Sequence, residues 1–404
     1  VTYGKLATDT KSLNFGQGFP NYISEPNITE CLKKASQLSP IHHQYARSSG
    51  LPKLTESLAN LYSPILKRQL KPMEQILISN GAYAGLKYAI EGYIEEGDEV
   101  VVIEPFFDCY QPMIDLVGAK VRYVPLLPSK RGRVNSNDWS FNVDVLKNSF
   151  SAKTKAVILN NPNNPLGKVF SREELSIISE LCIKNNCVCI CDEVYEWLKY
   201  DCEMIKMATL PGMWDRTITI GSAGKTFSVT GWKCGWVIAP AEIIKVLNNV
   251  HANFVYTCPT PIQMAVAKCI DDEINKISVS GEKSSYIYLL ADECLEKRDR
   301  LYKLLSKSKF KPIIPDGGYF MLADISDIAI DFPYTNSACK DVEFVHWMAK
   351  THKLALIPTT VFCSNENMKN MENYVRFCFI KGPAYNREKT VVAQIDLTKS
   401  SYIM

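Results

Sequence analysis

The stretch TIGSAGKTFSVTGWKCGW, residues 219–236, admits two incompatible readings. Its centre, GSAGKT, ends in the Gly-Lys-Thr that also closes a nucleotide-binding phosphate loop. Lys225 is therefore either a phosphate ligand for a nucleotide or a lysine with covalent chemistry of its own. A phosphate loop needs a glycine five residues before its Gly-Lys pair, because the backbone there curls tightly round the phosphates. That position is Thr219, inside the β-branched run TITI, and threonine cannot replace a glycine whose backbone touches phosphate. After Lys225, TFSVTGWK carries Gly231 where a phosphate loop opens into a continuous amphipathic helix. The nucleotide reading fails on both sides of the lysine.

Outward from this stretch, residues 76–240 alternate short apolar β-rich runs with helical patterns. The runs are QILIS (75–79), VVIEP (101–105), AVILNN (156–161), VCICDE (188–193), TITIGS (217–222) and GWVIAP (235–240). Helix-like segments such as 84–97 and 171–186 separate them, the second opened by a Ser171/Glu174 capping box. Nearly continuous apolar strands between helices predict an α/β fold, with a mostly parallel sheet covered on both faces. Beyond residue 280 the order changes to a long helix, PIIPDGGYFMLADIS, another helix, and the strands LALIP and YVRFCFI. This predicts a smaller α+β domain at 281–404, joined by the N-terminal segment 1–27, with the large domain at 28–280.

Composition narrows the function. Of 404 residues, 46% are hydrophobic and 22% charged, as in an ordinary globular protein. Forty-six basic against 43 acidic side chains leave a net charge of +3, too even for a nucleic-acid partner. The basic cluster Lys130, Arg131 and Arg133 reads as a solvated loop. No apolar run approaches the ~20 residues that cross a bilayer, so no membrane partner is expected. Of 14 cysteines, Cys187, Cys189 and Cys191 alternate on one face of a strand. Alternate thiols of an extended strand are expected to lie too far apart to grip zinc, so no metal is expected and these read as reduced core cysteines. Reduced thiols, and an N-terminus without a signal or Arg-rich presequence, lead us to expect a cytoplasmic protein; a mitochondrial form made from a longer precursor stays open.

A lysine that bonds covalently to pyridoxal phosphate needs a carboxylate for the pyridine nitrogen, a phenol or amide for the ring oxygen, and donors for the phosphate. In an open α/β sheet these belong at the carboxyl ends of strands, and the chain places candidates there. Asp192 ends VCICDE, and Tyr195 follows. Asn163 and Asn164 follow AVILN. Ser222 closes TITIGS three residues before Lys225, and Lys233 lies eight beyond it. Gly81, Ala82 and Tyr83 fall between QILIS and a helix, where free N–H groups meet an anion. Singly, each has a structural explanation, such as a cap, a turn or a surface lysine; together they point to one site.

Read together, GSAGKTFSVTGWKCGW, ILNNPNNPLGKVFSREEL, ICDEVYEWLKYD and NYVRFCF resemble the segments of fold-type I, class I aminotransferases. The stretches NFGQGFPNY, HHQYARSSGLPKL, EGDEVVVIEPFFDCYQPM and LPGMWDRTITIGSAGKTFS are similar to the branch of kynurenine aminotransferases, glutamine transaminase K and cysteine-conjugate β-lyases, and the similarity runs from Leu13 to Lys381. The resemblance implies a large domain built on a mostly parallel seven-stranded sheet. It implies Lys225 as the Schiff-base lysine that then moves the substrate proton, Asp192 at the pyridine nitrogen, and Asn164 and Tyr195 at the ring oxygen. It further implies Phe107 stacked on the ring, Gly81, Ala82, Tyr83, Ser222 and Lys233 at the phosphate, Arg376 and Gly18 at the substrate carboxylate, and Asn164 as a substrate contact as well. Tyr45 is implied to reach the partner subunit's phosphate and Tyr256 to line the partner's pocket, which makes the enzyme a homodimer with shared sites. The sequence departs from the family pattern in Gly81-Ala82 for a glycine pair, in Asn161 for threonine, and in the tail after Pro383. A tryptophan the family places just before Val1 lies outside the sequence.

Phe19, Phe106, Phe107, Tyr83 and Tyr256 are expected to make an aromatic-lined pocket, although core packing accounts equally well for Phe106. Such a pocket suits kynurenine, glutamine, phenylalanine or methionine, with a 2-oxo acid as acceptor and cysteine S-conjugate β-elimination as a side activity. A dedicated C–S β-lyase would use the same groups, and a binding protein on the same fold would not need them.

Overall fold

The computed structural model describes residues 2–129, 135–329, 334–335 and 337–382. The basic cluster at 130–133 and the tail from Asn386 lie outside the described residues.

The large sheet is built from β1 (Ile76–Ser79), β2 (Glu99–Glu104), β3 (Lys120–Pro128), β4 (Trp139–Phe141), β5 (Thr154–Asn160), β6 (Val188–Asp192), β7 (Thr217–Ser222) and β8 (Gly235–Ile238). Their spatial order is β1-β8-β7-β6-β5-β2-β3-β4. The pairs β7–β6, β6–β5, β5–β2 and β2–β3 are parallel. β8 runs antiparallel between β7 and β1. The seven strands implied by the family resemblance are thus joined by an eighth, β4, a three-residue strand that pairs antiparallel with the end of β3.

Alternation along the strands explains the two covered faces. Val100, Val102, Ile158 and Ile190 pack on one side with Leu86 and Ile90 of the helix Gly81–Tyr93 and with Ile243 and Leu247 of the helix Ala241–Phe254. Val101, Ile103, Val157 and Leu159 pack on the other, against Leu175 and Ile178 of the helix Arg172–Lys184. Consecutive strand residues point to opposite faces, so a strand buried on both sides must be apolar throughout. Cys187, Cys189 and Cys191 share the second face, as the alternation predicts. The Cys189 and Cys191 sulfurs lie 3.5 Å apart, nearer than the expectation of widely spaced thiols, because strand side chains lean along the strand. Among the described residues no group of three His, Cys, Asp or Glu is arranged to hold a metal. All fourteen cysteines are free, and all but Cys202 and Cys339 are buried.

The helix Arg172–Lys184 opens with the predicted capping box: the Glu174 N–H donates to Ser171 Oγ and the Ser171 N–H donates to the Glu174 carboxylate. The helices Pro52–Ile65 and Thr260–Ser280 form an outer layer over β1 and β8. Among the described residues no helix is long and apolar enough to cross a membrane.

A second, antiparallel sheet follows: β9 (Lys311–Ile313), β10 (Phe320–Asp324), β11 (Ile357–Pro358) and β12 (Tyr374–Cys378), in the order β9-β10-β12-β11. The helices Tyr286–Leu305 and Lys340–Thr351 pack on it through Leu290, Leu301, Phe344 and Met348. LALIP, expected as one strand, is divided between two sheets. Leu354–Ala355 pairs in parallel with Leu13–Asn14 of the N-terminal segment, while Ile357–Pro358 pairs with β12. The backbone of Leu356, between the two halves, passes so close to Gly16 that a Cβ on that glycine would lie 2.9 Å from its carbonyl carbon.

Candidate active site

Five parallel-running strand ends and one antiparallel start meet at one edge of the large sheet. β1 leads into Gly81–Tyr83, β2 into Phe107, β5 into Asn164, β6 into Asp192 and Tyr195, and β7 into Ser222 and Lys225. β8 enters from the opposite direction, and Gly235 pairs with both Ser79 and Ser222. The antiparallel strand therefore brings Lys233, two residues before it, to the same edge. Lys233 itself adopts a left-handed backbone, φ 50°, at the end of the turn Thr230–Trp232. Thr219, which decided against the nucleotide reading, is a buried residue in the middle of β7, paired with Cys191 and Ile238.

These residues line a cavity of about 280 Å³. Gly18, Gly81, Ala82, Tyr83, Phe107, Asn164, Asp192, Tyr195, Ser222, Lys225, Lys233 and Arg376, all singled out in the sequence, share it. Tyr45 and Tyr256 do not. They are 79% and 57% exposed and meet each other edge-on at 5.5 Å between ring centroids. Of the expected aromatic wall, Phe107 and Tyr83 line the cavity, whereas Phe106 is core, stacked on Tyr123 at 5.9 Å. Phe19 lies outside it, beneath the Lys381 amine. Asn163 serves the turn, donating to the Pro105 carbonyl and accepting from the Leu166 N–H.

At the floor, Asp192 Oδ2 accepts from the Tyr110 hydroxyl at 2.5 Å, and Oδ1 is buried without a partner. Burial raises the Asp192 carboxyl, while Tyr110, the Val194 N–H and Lys225 act to lower it. An unpartnered buried carboxylate oxygen costs on the order of 1–3 kcal/mol and fits a cationic N–H. Lys225 Nζ donates to Gly18 O at 3.2 Å and to the Tyr319 hydroxyl at 2.8 Å. Desolvation lowers its pKa from 10.5 to about 8, with Arg376 and Lys233 acting in the same sense and Cys378 and Asp192 opposing.

Opposite Lys225, Arg376 from β12 is buried between Phe320 at 4.0 Å and Phe362 at 4.8 Å. Its Nη1 donates to Asn164 Oδ1 and its Nη2 to Gly16 O, both at 2.8 Å, and Nε is unpartnered. The Asn164 backbone N–H is in turn held by Asn160 Oδ1 at 2.6 Å, and with Oδ1 taken by Arg376 its side chain still has the Nδ2 donor to offer to the cavity that Asn164 lines. Lys381 donates to the carbonyls of Gln17 and Phe19, fixing the segment on either side of Gly18.

The remaining end of the cavity is basic and rich in N–H donors. Gly81 opens the helix Gly81–Tyr93 with φ +76°, and Lys233 Nζ lies 3.3 Å from where a Cβ on Gly81 would stand. A Cβ on Gly235 would lie 2.6 Å from the Ala82 nitrogen, so only glycine lets this helix start seat on β8. Helix-start N–H groups with a lysine and Ser222 fit a phosphate. The orphaned Asp192 oxygen at one end and this cradle at the other fit pyridoxal phosphate.

Tyr110, Asn160, Tyr319 and Phe320 also belong to the site and were not singled out in the sequence. Asn160 stood beside a chosen residue, in AVILNN. Tyr319 and Phe320 follow Gly317-Gly318, a pair that signals close backbone approach: a Cβ on Gly317 would lie 2.8 Å from the Leu198 carbonyl.

Residues 10–391 match the family model described as aminotransferase class I and II. The chain is 47% identical over 385 residues to kynurenine–oxoglutarate transaminase 3 of Rattus norvegicus, covering 94% of this chain and 84% of that protein. It is 42% identical over 397 residues to kynurenine–oxoglutarate transaminase 1 of Homo sapiens, covering 95% and 92%. The solved structure of Bna3p from Saccharomyces cerevisiae superposes with a TM-score of 0.91 at 34% identity, covering 98% of this chain and 95% of that one.

Proposed function

Because the chain belongs to the class I and II aminotransferases, enzymes that depend on pyridoxal phosphate, we propose that it moves the amino group of L-kynurenine, L-glutamine and aromatic or sulfur amino acids to a 2-oxo acid. The observation that carries this reading is the convergence of a half-buried lysine, an unpartnered carboxylate oxygen and a buried arginine on one cavity. Asp192 Oδ1 would face the cofactor's ring nitrogen, Asn164 Nδ2 and Tyr195 its ring oxygen, and Phe107 its ring face. The N–H groups at Gly81–Tyr83, with Ser222 and Lys233, would hold its phosphate. The cofactor, when bound, supplies a sink for the electron pair left on the substrate Cα.

The protein does the rest. Arg376 holds the α-carboxylate, a planar fork suited to bidentate contact, and its own position is fixed by Asn164, Gly16 and two phenyl rings. Lys225, with its amine free, takes the proton from Cα and would pass it to the cofactor's C4′. Phe107, Tyr83, Phe320, Leu86 and Val194 give the cavity an apolar wall. Among the described residues, the cations lining it are Lys225, Lys233 and Arg376. None of these is left for a side-chain carboxylate, which favours an aromatic or thioether donor over aspartate.

We further propose that two copies complete each other's sites through Tyr45 and Tyr256, that residues 28–280 form the cofactor-binding domain between the segment 1–27 and the domain 281–404, and that the enzyme works in the cytoplasm. Steady-state rates over a panel of amino donors, with several 2-oxo acids, test the specificity. Kynurenine, glutamine, phenylalanine or methionine should lead. A strong preference for aspartate, or pyruvate and ammonia release without need of a 2-oxo acid, would contradict it.

A further inference from the structure

Lys225 as the residue that moves the substrate proton is the reading on which this inference rests. Its Nζ, the Tyr319 hydroxyl and the Gly18 carbonyl close a triangle, with 2.8 Å from Lys225 to Tyr319, 3.2 Å from Lys225 to Gly18 and 2.8 Å from Tyr319 to Gly18. A carbonyl only accepts, and a phenol has one hydrogen to give. With that hydrogen on Gly18 O, the lysine amine is the donor to both oxygens. A neutral amine has two N–H groups, so both are used, and its lone pair is turned away from both acceptors. Lys225 borders the cavity, which is the side left open. We propose that Tyr319 is the positioning residue for Lys225: with the Gly18 carbonyl it takes up both N–H groups of the neutral amine and leaves the lone pair facing the substrate Cα–H.

The surroundings hold the phenol where this requires. Tyr319 is 1% exposed, and its ring is packed edge-on against Tyr195 at 5.1 Å and Phe320 at 4.8 Å. When the Cα–H bond breaks, the new N–H bond forms on Lys225 and the electron pair stays with the substrate and cofactor. The resulting ammonium lies 5.4 Å from the Tyr319 ring centroid and 5.6 Å from that of Tyr195. The Tyr195 ring is within cation–π range, whereas the nitrogen, 2.8 Å from the Tyr319 hydroxyl, meets that residue through its oxygen. Backbone and phenol therefore aim the amine and take up its N–H groups, with the Tyr195 ring beside its charge.

Tyr319→Phe keeps the ring and its packing and deletes only the hydroxyl. The measurements are cofactor affinity, single-turnover rates with α-protonated and α-deuterated amino donor, and the pH midpoint for acylation of Lys225 in cofactor-free protein. The same single-turnover rates are taken in a Lys225→Ala background supplied with ethylamine. The variant should bind cofactor within about twofold of wild type, since Tyr319 stands behind Lys225 and is not among the residues that line the cavity. Its single turnover should slow by about tenfold, the scale of one lost hydrogen bond, with a larger deuterium effect. Its acylation midpoint should fall, because an acceptor of the ammonium is gone. In the Lys225→Ala background, adding Tyr319→Phe should change the rate by less than about twofold. Unchanged single turnover, or an equal further loss in the Lys225→Ala background, would overturn the proposal. Wild-type turnover by Lys225→Ala alone would instead remove the reading beneath it.

Discussion

Burial draws Lys225 down from the ordinary 10.5 to about 8, and Arg376 and Lys233 push the same way. The sign matters for chemistry. Below about 8 the amine carries a proton and cannot accept another; above it the amine is neutral and competent. In cofactor-free protein, acylation of Lys225 should reach half its plateau rate near pH 8, read by peptide mass spectrometry. A midpoint near 10.5 would show the amine to be solvated and unperturbed. The convergence of Lys225, Asp192 and Arg376 on one cavity was legible in the sequence, because each is a charged residue set against an apolar strand. The residues that tune them were not. Tyr110, Tyr319 and Phe320 look like core aromatics until distance shows one hydroxyl on Asp192, another on Lys225, and a ring on Arg376.

Among the elements, β8 makes the phosphate end possible. Running antiparallel between β1 and β7, it returns Lys233 to the edge where the parallel strands finish. Its first residue, Gly235, has no room for a methyl, whose carbon would lie 2.6 Å from both the Ala82 nitrogen and the Gly81 carbonyl carbon. Gly235→Ala should leave the protein folded but push the helix start away from β8, and weaken cofactor affinity at least about tenfold, or 1.4 kcal/mol. Fluorescence titration of cofactor-free protein reads this directly; wild-type affinity would show that the seat of the helix does not matter. At the other face, Ser171→Ala removes the cap of Arg172–Lys184 and should cost about 1 kcal/mol in urea denaturation. Strand runs and the capping box were readable from periodicity and residue type. The direction of β8 was not, since an apolar run reads alike both ways along the sheet, and neither was the division of LALIP, which depends on the distant segment Leu13–Asn14.

At the scale of the whole molecule, the cavity is closed by parts far apart in the chain: Gly18, the large sheet's strand ends, and Phe320 and Arg376 of the second sheet. Tyr45 and Tyr256 stay outside it, exposed and in contact with each other. A two-fold pair that shares residues in this way has a numerical signature. Inactive Lys225→Ala and Tyr45→Ala chains, unfolded together and refolded at equal amounts, should yield roughly a quarter of sites with both residues intact. Recovery of about that share of activity supports a shared site, and no recovery contradicts it. All of this depends on Lys225 carrying the cofactor. The direct measurement is borohydride reduction of the purified, cofactor-loaded protein followed by peptide mass spectrometry. The account predicts a single pyridoxyl-modified peptide, with the label on Lys225. A label on Lys233 or any other lysine, or none at all, would contradict it.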